Sequence, residues 1–249
     1  MNYSKYQQIL EFIPKDFDFD DIQKNELYIE MKKFISENDL KNVLISLSGG
    51  VDSMVVTSIC KELKKELKFE LYCCHINYNN REETIEEMSF IIDWCFVNNI
   101  RLSCKNIGHI KRGELKRSDY EEETRDIRYS YYDDCIKMFD SKGVFLAHHK
   151  DDYSENVFNN IMRGKKSITD LSVFKQINTI LDVVVFRPML EFRKKVIYDI
   201  SEKYQIPFFL DITPDWSCRG KMRRQIFPKC EDCYSDSFMN SLVKLGKES

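Results

Sequence analysis

The sequence predicts an α/β domain, a parallel sheet with helices on both faces, carrying a short helical addition at its N-terminus. Three observations point there. Short apolar runs alternate with segments of helical period between Val43 and Met162, and a Ser-Gly-Gly turn closes the first run. A content of 43% hydrophobic and 32% charged residues over 249 positions suits one large domain with a buried core.

The elements follow in order. Tyr6, Ile9, Leu10 and Ile13 are spaced as on a helix, as are Ile22, Leu27, Met31, Phe34 and Ile35, with Pro14 between, so two helices occupy residues 1–40. Val43–Leu47 reads as a strand, Ser48-Gly49-Gly50 as a tight loop and Val51–Leu67 as a helix. The pattern repeats as strand Phe69–Ile76, helix Thr84–Val97, strand Arg101–Cys104, helix Tyr120–Phe139 and strand Val144–His148. Parallel strands need such helical crossovers. A helix over Asp152–Met162 then leads through Arg163-Gly164 to the apolar run Val183–Phe186, closed by Arg187-Pro188. A last helix spans Arg193–Tyr204, followed by Pro207, Pro214 and a basic segment with Arg219, Lys221, Arg223, Arg224 and Lys229.

Charge and cysteine usage narrow the classes. With 38 Lys and Arg against 41 Asp and Glu the net charge is −3, so no whole-chain basic field coats nucleic acid, and any such partner is held by local patches. No apolar run approaches the roughly 18 residues of a membrane span, and Met1–Leu10 lacks the basic and apolar regions of a secretion signal. Nine cysteines, an odd number, suit a reducing compartment. A soluble, cytoplasmic protein with no membrane partner is expected.

The chemistry centres on Ser48-Gly49-Gly50-Val51-Asp52-Ser53, where a strand ends and a helix begins. Glycines let the backbone turn tightly and leave N–H groups at a helix N-terminus, where the dipole favours an anion. Phosphate is the natural occupant. Ser48 and Ser53 can donate to it, and Asp52, which would repel bare phosphate, suits Mg²⁺ bridging the phosphates. The bland alternative is a glycine turn with Asp52 or Ser53 as a helix cap. The loop lacks the spaced second glycine and the lysine of a Walker loop.

These six residues resemble the pyrophosphate loop of ATP pyrophosphatases, the adenine nucleotide alpha-hydrolase-like PP-loop enzymes, which cleave ATP between the α and β phosphates and pass AMP to an oxygen. Within that group the chain resembles the tRNA(Ile)-lysidine synthetases. His75-Ile76-Asn77-Tyr78-Asn79-Asn80-Arg81 matches their His-Val-Asn-His-Gly-Leu-Arg at His75, Asn77 and Arg81, and departs at Tyr78, Asn79 and Asn80. Arg125-Asp126-Ile127-Arg128-Tyr129 matches an Arg-x-x-Arg-Tyr helix, and Ala147 to Glu155 matches Ala-His-His-x-Asp-Asp-Gln-x-Glu except at Tyr153. Arg163-Gly164, Arg187-Pro188-Met189-Leu190 and Arg219-Gly220-Lys221-Met222-Arg223 extend the match over residues 41–228. That range is expected to be the catalytic domain, with 1–40 a helical extension and 229–249 a tail. Many members carry further C-terminal domains that grip the tRNA acceptor end, for which the residues after 228 are too few.

The resemblance implies an ATP-dependent ligase that adenylates the C2 oxygen of the wobble cytidine of tRNA(Ile), releases pyrophosphate, and lets lysine displace AMP to form lysidine. ATP and Mg²⁺ are the implied cofactors, and tRNA with a CAU anticodon and free lysine the partners; a homodimer is compatible with this. Residues 48–53 with His75, Asn77 and His148 are expected at the nucleotide, Asp52 on the metal, and Arg128 near ATP and the target base. The Asp152 and Glu155 positions hold the lysine amine, and three-residue spacing puts both on one helix face; a base role for either would serve proton removal. Arg125, Arg163, Arg187, Arg219, Lys221 and Arg223 are expected to meet the RNA, with Lys111, Arg112, Lys116 and Arg117 as a further basic cluster.

Other chemistry is open to some of these residues. His148, His149, Asp151 and Asp152 offer metal-binding side chains, but neighbours on a strand face opposite ways. Cys230-Glu231-Asp232-Cys233 has ligand spacing without a second pair, so a solvated tail is expected there. Cys73 and Cys74 fall on opposite faces of a strand and pack. The alternative functions are a tRNA thiolase of the same superfamily, which delivers sulfur, and a non-catalytic RNA- or nucleotide-binding regulator. Three carboxylates at Asp52, Asp152 and Glu155 would not help pure binding of phosphate or RNA.

Overall fold

A computed structural model describes residues 19–79, 83–108, 117–164, 175–210, 213 and 215–248. Strands β1 (Asn42–Ser46), β2 (Glu70–Asn77), β3 (Arg101–Asn106), β4 (Val144–Phe145) and β6 (Val183–Phe186) run parallel. A short strand β5 (Ile177–Ile180) pairs antiparallel with β6, which gives the order β3-β2-β1-β4-β6-β5. Because β1 has β2 on one side and β4 on the other, the chain reverses its winding there, and a crevice opens at the carboxyl ends of these strands.

The period of two along β1 builds two cores. Val43 and Ile45 pack with α2 (Glu26–Glu37), α3 (Val51–Leu63), α4 (Glu83–Val97) and α7 (Lys194–Lys203), whereas Leu44 packs with Tyr129, Tyr132 and Cys135 of α5 (Arg117–Met138). Cys73 and Cys74 divide between the same two layers. After the single turn α1 (Phe19–Ile22), α2 begins at Asn25, whose Oδ1 accepts from Leu27 N at 3.0 Å. Its Phe34 meets Phe145 and Phe186 edge-on at 5.7 Å each, so α2 is anchored to β4 and β6 rather than lying apart. Each such pair contributes about 0.5–1.5 kcal/mol beyond its buried area.

Two expectations change. The strand expected over Val144–His148 ends at Phe145, because the chain leaves the sheet and turns into α6 (Lys150–Met162) with His149 as its cap. Residues 229–247, expected as a solvated tail, lie within α9 (Phe227–Tyr234) and α10 (Asp236–Lys247), which follow α8 (Cys218–Lys221) and a π-helical segment, Met222–Ile226. Met239 and Leu242 of α10 bury against Tyr153 and Val157 of α6. The contact is close enough that a Cβ on Gly246 would stand 2.5 Å from the Tyr153 hydroxyl. Half-buried Cys230 and exposed Cys233 sit on α9. The expected first helix with Pro14, together with Asn80, Arg81, Lys111, Arg112, Lys116 and Pro214, lies outside the described residues. Among the described residues no helix is long and apolar enough to cross a membrane.

Candidate active site

The loop from Ser48 to Ser53 is built by glycine geometry and by two serines. Gly49 has φ +84°, and a Cβ on it would stand 2.7 Å from the Phe209 ring, so both backbone and space demand glycine. Phe209 N donates to Gly49 O at 2.9 Å and fixes the turn from outside. Ser53 Oγ accepts from Ser48 N at 3.1 Å and donates to Gly50 O at 3.0 Å. Helix α3 starts at Gly50 with no side-chain cap, so Asp52 and Ser53 do not take the capping role, and the helix start faces the crevice.

Asp52 faces a cation that the sequence reading did not single out. Lys194 Nζ lies 2.6 Å from both Asp52 carboxylate oxygens, and both side chains are about three-quarters buried. Lys194 is the first residue of α7, where a cation opposes the helix dipole. That misfit at the start of the expected Arg193–Tyr204 helix was the available signal that the lysine serves something other than the helix. Its neighbour Arg193 binds Asp151, Glu231 and Asp236, tying α7 to α6 and the C-terminal helices.

Across the crevice His149 caps α6: its Nδ1 accepts from Asp152 N at 3.4 Å, and its own N–H donates back to Asp152 Oδ2. With Nδ1 accepting, the other ring nitrogen stands 3.3 Å from Asp152 and 3.6 Å from Asp52, so this buried histidine joins the two carboxylates. His148, by contrast, lines the crevice, taking a 3.0 Å hydrogen bond from Arg187 Nε, and burial pushes its imidazole down to about 4. The two histidines therefore do not converge, and among the described residues no three His, Cys, Asp or Glu side chains form a metal group.

Asp152 and Glu155, one turn apart on α6, are both buried and both held by arginine. Arg219 Nη2 and Arg223 Nη2 each donate to Asp152 Oδ1 at 2.8 Å. Arg219 Nε donates to Glu155 Oε2 at 3.0 Å, and Arg223 Nε binds Glu155 Oε1. Burial alone would raise the Asp152 carboxyl, but His149, His148, Arg219 and Arg223 outweigh it and hold the group at about 2. Residues that the sequence reading assigned to two different partners, the lysine amine and the RNA, thus meet one another here.

The remaining expected residues divide. Arg128 lines the crevice, as does Tyr78, one of the departures from the family motif, and the Arg128 guanidinium lies 5.6 Å from the Tyr129 ring. His75 and Asn77 do not line it, because the period of two along β2 turns Ile76 and Tyr78 toward the crevice instead. His75 Nδ1 donates to Leu47 O at 2.8 Å, and Asn77 Oδ1 accepts from Asn79 N at 2.8 Å, so both shape the wall from behind. Arg187 is corrected more sharply. It is 1% exposed, with Nη1 on Lys175 O and Asn178 Oδ1, which leaves it no face toward RNA and makes it the support of His148. Arg125, Arg163 and Lys221 are exposed and lie outside the lining. The crevice itself encloses about 910 Å³ and is walled on the aromatic side by Tyr129, Tyr132, Tyr198 and Phe209.

A parallel sheet with a glycine loop and an uncapped helix start at its switch point, faced by a carboxylate and a lysine, defines a nucleotide-binding α/β domain. The chain belongs to the PP-loop domain family, a family of ATP-using domains, whose profile matches residues 23–230. Similar proteins include the tRNA(Ile)-lysidine synthase of Staphylococcus aureus (strain COL), 28% identical over 198 residues that cover 77% of this chain and 44% of the relative. That of Chlamydia caviae is 27% identical over 222 residues, covering 88% of this chain and 68% of the relative, and that of Mesoplasma florum 28% over 213 residues, covering 85% and 51%. The chain therefore spans less than half the length of the Staphylococcus relative. Among solved structures, a U34-tRNA thiolase from Methanococcus maripaludis with its 4Fe–4S cluster superposes with a TM-score of 0.70 at 17% identity, covering 90% of this chain and 78% of the other, which shows the shared fold.

Proposed function

We propose that the protein is an ATP-dependent tRNA-modifying ligase that converts the wobble cytidine of a CAU-anticodon tRNA(Ile) to lysidine in the cytoplasm. The observation that carries this reading is the sharing of one crevice by a phosphate-type loop with Asp52 and by the carboxylate Asp152, with His149 buried behind them and Glu155 joined to the crevice through Arg219 and Arg223. The names of the relatives supply the substrate class.

The cytosine C2 oxygen is a poor leaving group until it is adenylated. In the first step that oxygen attacks the α-phosphorus of ATP, the bond to the bridging oxygen breaks, and pyrophosphate departs. The loop N–H groups, the α3 N-terminus and Lys194 are disposed to carry the growing phosphate charge. The Asp52 carboxylate and the Ser48 and Ser53 hydroxyls are hard oxygen donors that fit Mg²⁺, which when bound neutralises phosphate charge. In the second step the lysine ε-amine attacks C2, the C2–O bond breaks and AMP leaves. An incoming ammonium must displace Arg219 and Arg223 from Asp152 and Glu155, exchanging one cation for another on carboxylates that favour positive charge. Asp152, held so acidic, suits binding of that ammonium better than taking its proton.

A sulfur-delivering reading draws on Cys230 and Cys233, but both lie on α9 outside the crevice lining. The test is release of AMP and pyrophosphate from ATP with a CAU-anticodon tRNA(Ile) transcript and lysine. Release that requires the transcript supports the ligase. Absence of AMP under all conditions leaves a binding protein instead.

A further inference from the structure

We infer that Trp216 is a stacking platform for an unpaired RNA base at the mouth of the crevice; this rests on the tRNA-modifying reading above. Trp216 is 72% exposed, the costliest side chain to leave in water, whereas the chain's other tryptophan, Trp94, is buried at 7%. A lone exposed tryptophan is unremarkable where its loop is slack. Here the described residues on either side of it are held by hydrogen bonds. Arg224 Nη1 donates to Thr213 O at 2.8 Å and pairs with Asp215, and Ser217 Oγ caps α8 by accepting from Gly220 N at 2.9 Å. The indole is thus presented between residues that are hydrogen-bonded on both sides of it, which lessens the entropy to be lost on binding.

Its position supplies the ligand. Thr213 and Ser217, on either side of Trp216 in the chain, line the crevice, as do Arg219 and Arg223 on the helical turn that follows. Arg219 is 57% exposed despite its carboxylate partners, and Lys221 is exposed beside it. An aromatic face set among cations and next to a nucleotide-type site is the combination that holds single-stranded nucleic acid: the cations track phosphates and the ring takes a base of any identity. A base to be modified must be unstacked from its neighbours, and a flanking base that stacks on Trp216 would hold the loop open around it.

The experiment uses the full chain and an anticodon stem-loop RNA with a CAU loop. Its readouts are intrinsic tryptophan emission and the Kd of the RNA, and ATP affinity serves as the check of folding. The unsubstituted protein should show quenched emission on binding the loop and none with the same sequence closed into a perfect duplex. Trp216→Ala should remove the quench and raise Kd about ten-fold, and Trp216→Phe, which keeps a π face, should recover most of the affinity. Equal Kd in Trp216→Ala with normal ATP affinity overturns the stacking role while leaving RNA binding standing. No RNA binding by the unsubstituted protein overturns both this role and the reading on which it rests.

Discussion

Lys194 Nζ stands 2.6 Å from both oxygens of Asp52, across 142 residues of chain, and so neutralises the acid of the glycine loop. The pair keeps a carboxylate at a phosphate site without repelling the phosphates, since the lysine travels with the site and can turn to the anion when it arrives. Lys194→Met should lower AMP formation about 100-fold, within the range for removal of one preorganised charge donor, while Lys194→Arg should retain part of it. Asp52→Ala should eliminate AMP formation. Radiolabelled ATP resolved into AMP and ADP checks both, and undiminished AMP from Lys194→Met would remove the lysine from the phosphate site.

Gly49→Ala should cost about 1–2 kcal/mol from its left-handed backbone alone, and more because the new methyl meets the Phe209 ring. Shrinking that ring in the double variant Gly49→Ala, Phe209→Leu should return the part due to collision and none of the part due to φ. Urea denaturation gives both numbers.

Arg219 and Arg223 bind the same carboxylates but differ in burial, at 57% and 26% exposure. Solvent screens the first, so Arg219→Ala should cost less than about 1 kcal/mol, whereas Arg223→Ala strips a less screened partner from Asp152 and Glu155 and should cost about 2–3 kcal/mol. Equal losses in thermal unfolding would mean that exposure does not set the strength of this cluster.

Asp152→Asn and Glu155→Gln should abolish lysine incorporation while leaving adenylation of the tRNA measurable. Each amide keeps one acceptor oxygen but turns an NH2 toward a former donor, an arginine at Glu155 and the His149 backbone N–H at Asp152, so some stability is lost and retained ATP affinity is the check of folding. Unchanged incorporation in either variant would take that residue out of amine transfer.

Acidification should weaken the fold in two stages. His148 stays neutral in the folded protein down to about 4, while an unfolded histidine takes its proton near 6.5. Between those values the unfolded state binds the extra proton, so stability falls as pH drops from about 6.5 to 4, by about 3 kcal/mol at most. Asp152 acts lower: its folded value of about 2 lies beneath the ordinary 3.8, so its contribution is present above 3.8 and is lost as pH falls through 2. His148→Gln should flatten the first stage and leave the second, as read from denaturation midpoints across pH.

Much of the fold was legible because it is written locally. The short apolar run Val43–Leu47, the helical spacing through α3 and α5 and the glycine loop each depend on neighbouring residues. What escaped depends on distance in the chain. The strand β5 is four residues with only two apolar positions, and it exists because β6 offers it an edge. The C-terminal helices looked polar because only one stripe of α10 is apolar, and Tyr153 and Val157 of α6 complete its core. In the site, the loop Ser48–Ser53 stood out by residue type and order, and Asp152 by the family resemblance; both line the crevice. The burial of Arg187 was not legible, since nothing near it in sequence shows that His148 and Asn178 receive its donors. Nor could spacing show that Arg219 and Arg223 fold back on Asp152 and Glu155.

The most direct test of the central claim is mass spectrometry of nucleosides from a CAU-anticodon tRNA(Ile) transcript incubated with the protein, ATP, Mg²⁺ and lysine, beside a control without ATP. The account predicts a cytidine heavier by one lysine less one water, formed only with ATP. AMP release with the cytidine unchanged would contradict the lysidine assignment and keep only the adenylating half of the site.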